Sequence, residues 1–146
     1  MANACVFCNS VGGELLWQND LCRIVLVDDV NYVGFCRVIL NKHTKEMTDI
    51  SETERLQIMQ VTFAVEQVLR DVLQPTKINL ASLGNKTPHI HWHVIPRFEN
   101  DVHFPETIWS AEVRQTNKPN IEGLSDKLKV KLAEVLVQLN DLQTLD

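Results

Sequence analysis

The sequence predicts an α+β fold in a single domain, and three observations carry that prediction. Five short runs have strand patterning, two longer runs have helical periodicity, and 146 residues without a linker, repeat or low-complexity tract suit one hydrophobic core. The domain is expected to take in 1–146, with 99–146 as a C-terminal arm and helix.

Cys5-Val6-Phe7-Cys8 comes first. Two thiolates at this spacing are half of a tetrahedral zinc site, or else two small half-buried residues that anchor the N-terminal segment. Gly12-Gly13 marks a turn, and 14–18, 21–27 and 34–40 then read as strands of a meander, separated by Asn19-Asp20 and by 28–33. Cys22 and Cys36 fall inside these strands, where a thiol is a small core residue. Asp28-Asp29 ends the second strand, as a ligand-binding carboxylate or as a solvated turn acid; of the two, Asp28 is the candidate.

Ser51-Glu52-Thr53-Glu54 has capping-box spacing, and the run from Leu56 through Met59, Phe63, Val68, Val72 and Leu73 predicts an amphipathic helix over 52–73, stopped by Gln74-Pro75. Its apolar stripe is read as core. The chain returns to strand over 76–82, which carries Asn79, and 83–88 forms a loop in which Gly84 permits close approach of backbone N–H groups to an anion. Asn85, Lys86 and Thr87 add donors there, although Lys86 can equally point into water.

The fifth strand is His89-Ile90-His91-Trp92-His93-Val94-Ile95. Period-two alternation puts the three imidazoles on one face and Ile90, Trp92 and Val94 on the other, against the core. Because alternate Cα atoms in a strand are roughly 6.7 Å apart, the set spans about 13 Å and does not form one metal site by itself. Beyond Phe98 the pattern dissolves into a polar arm, where His103 reads as a solvated loop residue. Ser125 then precedes Leu128, Leu132, Val135, Leu136, Leu139 and Leu142, a second amphipathic helix whose stripe needs a partner.

Composition excludes several functions. A net charge of −5 opposes non-specific nucleic-acid binding, so no nucleic-acid partner is expected. No apolar run approaches the roughly 20 residues of a membrane span, and the N-terminus lacks signal-peptide features, so a cytoplasmic protein without a membrane partner is expected. In that reducing compartment the four cysteines would be thiols or metal ligands.

His89 to Ile95 resembles the signature of the histidine triad (HIT) superfamily, and Leu83-Gly84-Asn85-Lys86-Thr87-Pro88 with Pro96-Arg97-Phe98 is similar to its bacterial nucleotide-hydrolase branch. The resemblance runs from Cys5 to about Trp109. It implies a five-stranded antiparallel sheet with two main helices, a homodimer, and cleavage at the α-phosphate of a purine nucleotide or dinucleoside polyphosphate through a nucleotidyl-histidine. The implied roles are His91 as nucleophile, His93 as phosphate ligand and His89 as a supporting residue. Asp28 would hold the ribose, and Asn79 with Gly84, Asn85, Lys86 and Thr87 the rest of the nucleotide. Cys5, Cys8, His43 and His89 match a structural zinc set, and no cofactor is required for the chemistry. The alternatives are transfer of the nucleotide to a phosphorylated acceptor, and a non-catalytic nucleotide-binding regulator.

Overall fold

The computed structural model describes residues 4–143, without the side chains of 139–143. The ends of the expected 1–146 domain, and the expected stripe residues Leu139 and Leu142, lie outside that description. The elements are α1 (Val6–Asn9), β1 (Glu14–Gln18), β2 (Cys22–Leu26), β3 (Cys36–Leu40), a 3-10 turn (Met47–Asp49), α2 (Glu52–Leu73), β4 (Lys77–Ala81), β5 (His91–Arg97) and α3 (Leu124–Gln143). The five strands form one antiparallel sheet in the order β1-β2-β3-β5-β4. The expected α+β class and sheet are therefore present.

Alternation sorts the sheet into two faces. Ile24, Val38, Leu40 and Val94 point to one side and join Ile58, Val65 and Leu69 of α2 and Leu128, Leu132 and Leu136 of α3 in the main core. Cys22 and Cys36 lie in this core, fully buried as their strands predicted. The opposite face carries Val25 and Ile39, which pack under Phe7 and Cys5 of the N-terminal segment, and it also carries Arg37, His91 and His93.

Helix α2 begins on the expected capping box: Glu54 N–H donates to Ser51 Oγ at 3.2 Å, and Ser51 N–H donates to Glu54 Oε2 at 2.8 Å. It ends at Gln74, in the left-handed region ahead of Pro75. The buried stripe differs from the expected one. Ile58, Val61, Thr62, Val65, Val68 and Leu69 face inward, whereas Leu56 and Phe63 are exposed. Both phases carry apolar residues, and packing against β3, β5 and α3 selects one of them.

Two further boundaries shift. Strand β5 begins at His91, because Ile90 bonds across to Leu40 and Thr44 (3.1 and 2.8 Å) in a kinked segment ahead of the ladder. Helix α3 begins at Leu124 after Gly123, so Ser125 lies in its first turn rather than at its cap. Among the described residues no helix is long and apolar enough to cross a membrane.

The arm from 99 to 123 folds back over the histidine face, held by a buried ion pair. Arg97 donates to Asp101 through Nε (2.8 Å) and Nη2 (3.0 Å), and the Asp101 carboxylate also accepts from Tyr32 Oη and from the N–H groups of Phe98, His103 and Phe104. His103 is buried, stacked on Tyr32 and hydrogen-bonded to its hydroxyl, which corrects its reading as a solvated residue. The carboxylate draws the turn 98–104 inward, and His103 is carried in with it.

Candidate active site

Strand β5 presents His91 and His93 on the face away from the helices, and both are buried. His91 Nδ1–H donates to the His89 carbonyl at 2.6 Å, which fixes the ring and leaves Nε2 with its lone pair. Burial lowers the proton affinity of His91 and pushes His93 down to about 3, with His91 and Arg37 adding repulsion at His93, so both rings are neutral near pH 7. The imidazole planes cross at 86° with centroids 4.8 Å apart. His93 Nδ1 is buried and has no partner among the described residues.

Around these rings is a cleft of about 310 Å³, lined by Phe7, Arg37, Leu83, Gly84, Asn85, Lys86, Thr87, His91, His93 and Trp109. That volume is at the small end of clefts that hold small ligands. Gly84 has φ +73, a backbone that favours glycine, and Ser82 Oγ–H donates to the His91 carbonyl (2.8 Å), tying the loop to the triad strand. Trp109 covers His93 with ring centroids 5.1 Å apart. No carboxylate lines the cleft, although the chain carries a net charge of −5.

Of the residues singled out from the sequence, the cleft brings together His91, His93, Gly84, Asn85, Lys86 and Thr87. His89 supplies the carbonyl beneath His91, while its own ring turns to the N-terminal segment. Two candidates fall elsewhere. Asp28 is fully exposed and lies 4.0 Å from Lys118, on a separate and larger cleft of about 520 Å³ beside α3. The following acid, Asp29, is the one in the field of Arg37; its Oδ1 accepts from the N–H groups of Asn31 and Tyr32 (2.8 and 3.1 Å). Asn79 lies on the histidine face, but its Oδ1 accepts from Arg97 Nη1 at 2.7 Å and is outside the cleft. The sequence reading missed Phe7 and Arg37. A lone arginine in the out-of-core phase of β3, opposite Val38, was the available signal.

The first histidine belongs to a different cluster. Cys5, Cys8, His43 and His89 present ligand atoms within 4.8 Å of one another. Sulfur to nitrogen distances are 3.4 Å (Cys5–His89), 3.3 Å (Cys8–His43) and 3.6 Å (Cys8–His89), and His43 Nδ1 lies 3.2 Å from His89 Nδ1. Tetrahedral zinc with ordinary bond lengths separates S and N ligands by about 3.6 Å and two N ligands by about 3.3 Å, so the set fits that ion. His89 Nε2–H donates to the Leu40 carbonyl at 2.6 Å, which leaves Nδ1 unprotonated toward the cluster, as a ligating histidine requires.

Comparison with known proteins gives one family. The HIT domain model matches residues 11–100. An uncharacterised HIT-like protein of Borreliella burgdorferi is 27% identical over 108 residues, covering 66% of this chain and 78% of the relative. A Mycobacterium tuberculosis protein named AP-4-A phosphorylase is 26% identical over 86 residues, covering 55% of this chain and 44% of its own length. Among solved structures, a zinc-bound histidine triad family protein of Mycobacterium smegmatis superposes with TM-score 0.67 at 21% identity, covering 94% of this chain and 99% of that one.

Proposed function

The chain belongs to the HIT family, and from that premise we propose that it is a nucleotide hydrolase that cleaves at the α-phosphate of a purine nucleotide or dinucleoside polyphosphate through a nucleotidyl-histidine. The observation that carries this reading is the His91 ring: Nδ1–H is committed to the His89 carbonyl at 2.6 Å, so Nε2 is a neutral nucleophile in a cleft without carboxylates.

Attack of Nε2 on the α-phosphorus forms an N–P bond as the bond to the leaving group breaks and its electron pair departs with that group. Water then attacks the same phosphorus, the N–P bond breaks, and the nucleoside monophosphate is released. His93 and the N–H groups of the Gly84–Thr87 loop donate hydrogen bonds to the phosphate oxygens, and Lys86 adds a cation at the mouth. Asp28 and Asn79 take no part in this scheme, the first because it faces Lys118 outside the cleft and the second because Arg97 occupies it.

Zinc at Cys5, Cys8, His43 and His89 supplies no chemistry to the reaction; bound there, it would tie α1 to the segment that carries the His89 carbonyl. The relative named AP-4-A phosphorylase favours a second reading, in which phosphate rather than water accepts the nucleotide. A homodimer belongs to the same proposal. Leu56 and Phe63, two turns apart on α2 and 60% and 51% exposed, are an apolar stripe that a second copy would cover.

The test is the intact mass of wild type and His91→Ala after brief mixing with adenosine and guanosine substrates and a quench that spares acid-labile phosphoramidates. A nucleotide-sized adduct and product release that vanish in the variant support the hydrolase. Nucleoside diphosphate formed only when inorganic phosphate is added would select the transferase. Equal behaviour of the two proteins, with nucleotide still bound, would leave the regulator.

A further inference from the structure

Arg37, which has no part in the scheme above, lines the triad cleft from β3, on the other side of β5 from β4. It stands directly across from His93 in the β3–β5 ladder. Its guanidinium carbon lies 5.7 Å from the Phe7 ring centroid and 5.6 Å from that of Phe35, and those rings touch His91 (4.8 Å) and His93 (5.6 Å) in turn. A cation is thus held in the wall that supports both imidazoles.

Its hydrogen bonding is incomplete. Nη1 donates to the Gly12 carbonyl at 3.2 Å, and Nε is buried without a partner. Among the described residues no carboxylate is within ion-pair distance of Arg37. Arg97, on the same face of the sheet, shows the contrast, since its donors are taken by Asp101, Asn79 and the Glu106 carbonyl. Arg37 as a whole is half-buried, but its desolvated, unpaired Nε is costly unless something anionic arrives to draw on the guanidinium. Phosphate matches the planar fork, which can grip two oxygens at once.

We propose that Arg37 is a further phosphate ligand of the triad cleft, its free donors taking non-bridging oxygens of the substrate's phosphate chain from the β3 side of the triad strand. This rests on the nucleotide reading above and adds a residue to it. Lys86 is an exposed point charge; Arg37 is packed against Phe7 and Phe35.

Dissociation constants for AMP and for adenosine, measured by calorimetry on wild type, Arg37→Met and Arg37→Lys, test it. The Met variant keeps the aliphatic stem against Phe7 and Phe35 and removes the fork. AMP is expected to weaken about 10- to 100-fold in Arg37→Met, with adenosine affinity unchanged and Arg37→Lys intermediate. Unchanged AMP affinity in Arg37→Met would overturn the proposal, as would parallel losses of AMP and adenosine in both variants, which would make Arg37 a purely structural residue. Wild type that binds adenosine and AMP equally would sink the role of Arg37 alone. Wild type that binds neither would sink the nucleotide reading and this inference with it.

Discussion

Replacing Asp101 with asparagine is expected to destabilise the protein by about 3–5 kcal/mol, the cost of breaking a buried ion pair from one side. The carboxylate accepts six hydrogen bonds, from Arg97 Nε and Nη2, Tyr32 Oη, and the N–H groups of Phe98, His103 and Phe104. An amide keeps one acceptor and turns an NH2 group toward the donors at the other position. Arg97, 2% exposed, is then left charged and underpaired. Against a total stability of about 5–15 kcal/mol, the melting temperature should fall by about 6–20 °C. Urea and thermal unfolding followed by circular dichroism at pH 7 would measure it.

Acid supplies an independent check. Burial alone would raise the Asp101 pKa, but the Arg97 hydrogen bonds and the N–H groups of Phe98 and Phe104 outweigh it and hold the carboxyl at about 2. The folded value lies below the unfolded one, so the unfolded chain takes up the proton first. The contribution is therefore complete above roughly pH 4 and is lost as pH falls toward 2. The gap between wild type and Asp101→Asn should narrow through that window. A loss below about 1 kcal/mol at pH 7, the range of an exposed pair, would refute the assignment of this pair as the anchor of the arm.

The remaining predictions concern thiols and the β3 turn. Burial raises Cys22 and Cys36 to about 12, so neither should react with a water-soluble disulfide reagent at pH 8 until guanidinium unfolds the chain; rapid labelling of either in the folded protein would contradict the core packing. Cys8 is exposed, and one equivalent of zinc should protect it in wild type but not in His43→Ala, as read by the labelling rate. Gly34→Ala should cost about 1–3 kcal/mol, because φ is +75 and the added Cβ would lie 2.4 Å from Leu73 Cδ1. Leu73→Ala in the same background should recover only the steric part, as measured by urea unfolding.

Much of the molecule was legible along the chain, for local reasons. The capping box and Gln74-Pro75 bound α2 without reference to anything distant, and alternation in 89–95 separated the imidazoles from the core residues whatever lay beside them. The CxxC pair and the loop glycine likewise act through spacing and backbone conformation. The failures were of another kind. Leu56 and Phe63 are apolar at helical spacing, yet only the surface made by β3, β5 and α3 determines which stripe of α2 is covered. His103 was misread because its environment comes from Arg97, Asp101 and Tyr32, and Tyr32 is 71 residues away.

The sequence by itself determined the five strands and two long helices, their order along the chain, and the face on which His91 and His93 stand, because these follow from periods of two and 3.6 and from local caps. Tertiary structure decided that Asp28 lies outside the triad cleft, that Asn79 serves Arg97, and that His89 turns its ring to two cysteines and its carbonyl to His91. It also decided that Arg37 is half-buried across from His93, with no carboxylate at ion-pair distance among the described residues. These outcomes depend on which strands become neighbours in β1-β2-β3-β5-β4 and on an arm that folds back, and both are settled by contacts between residues far apart in the chain.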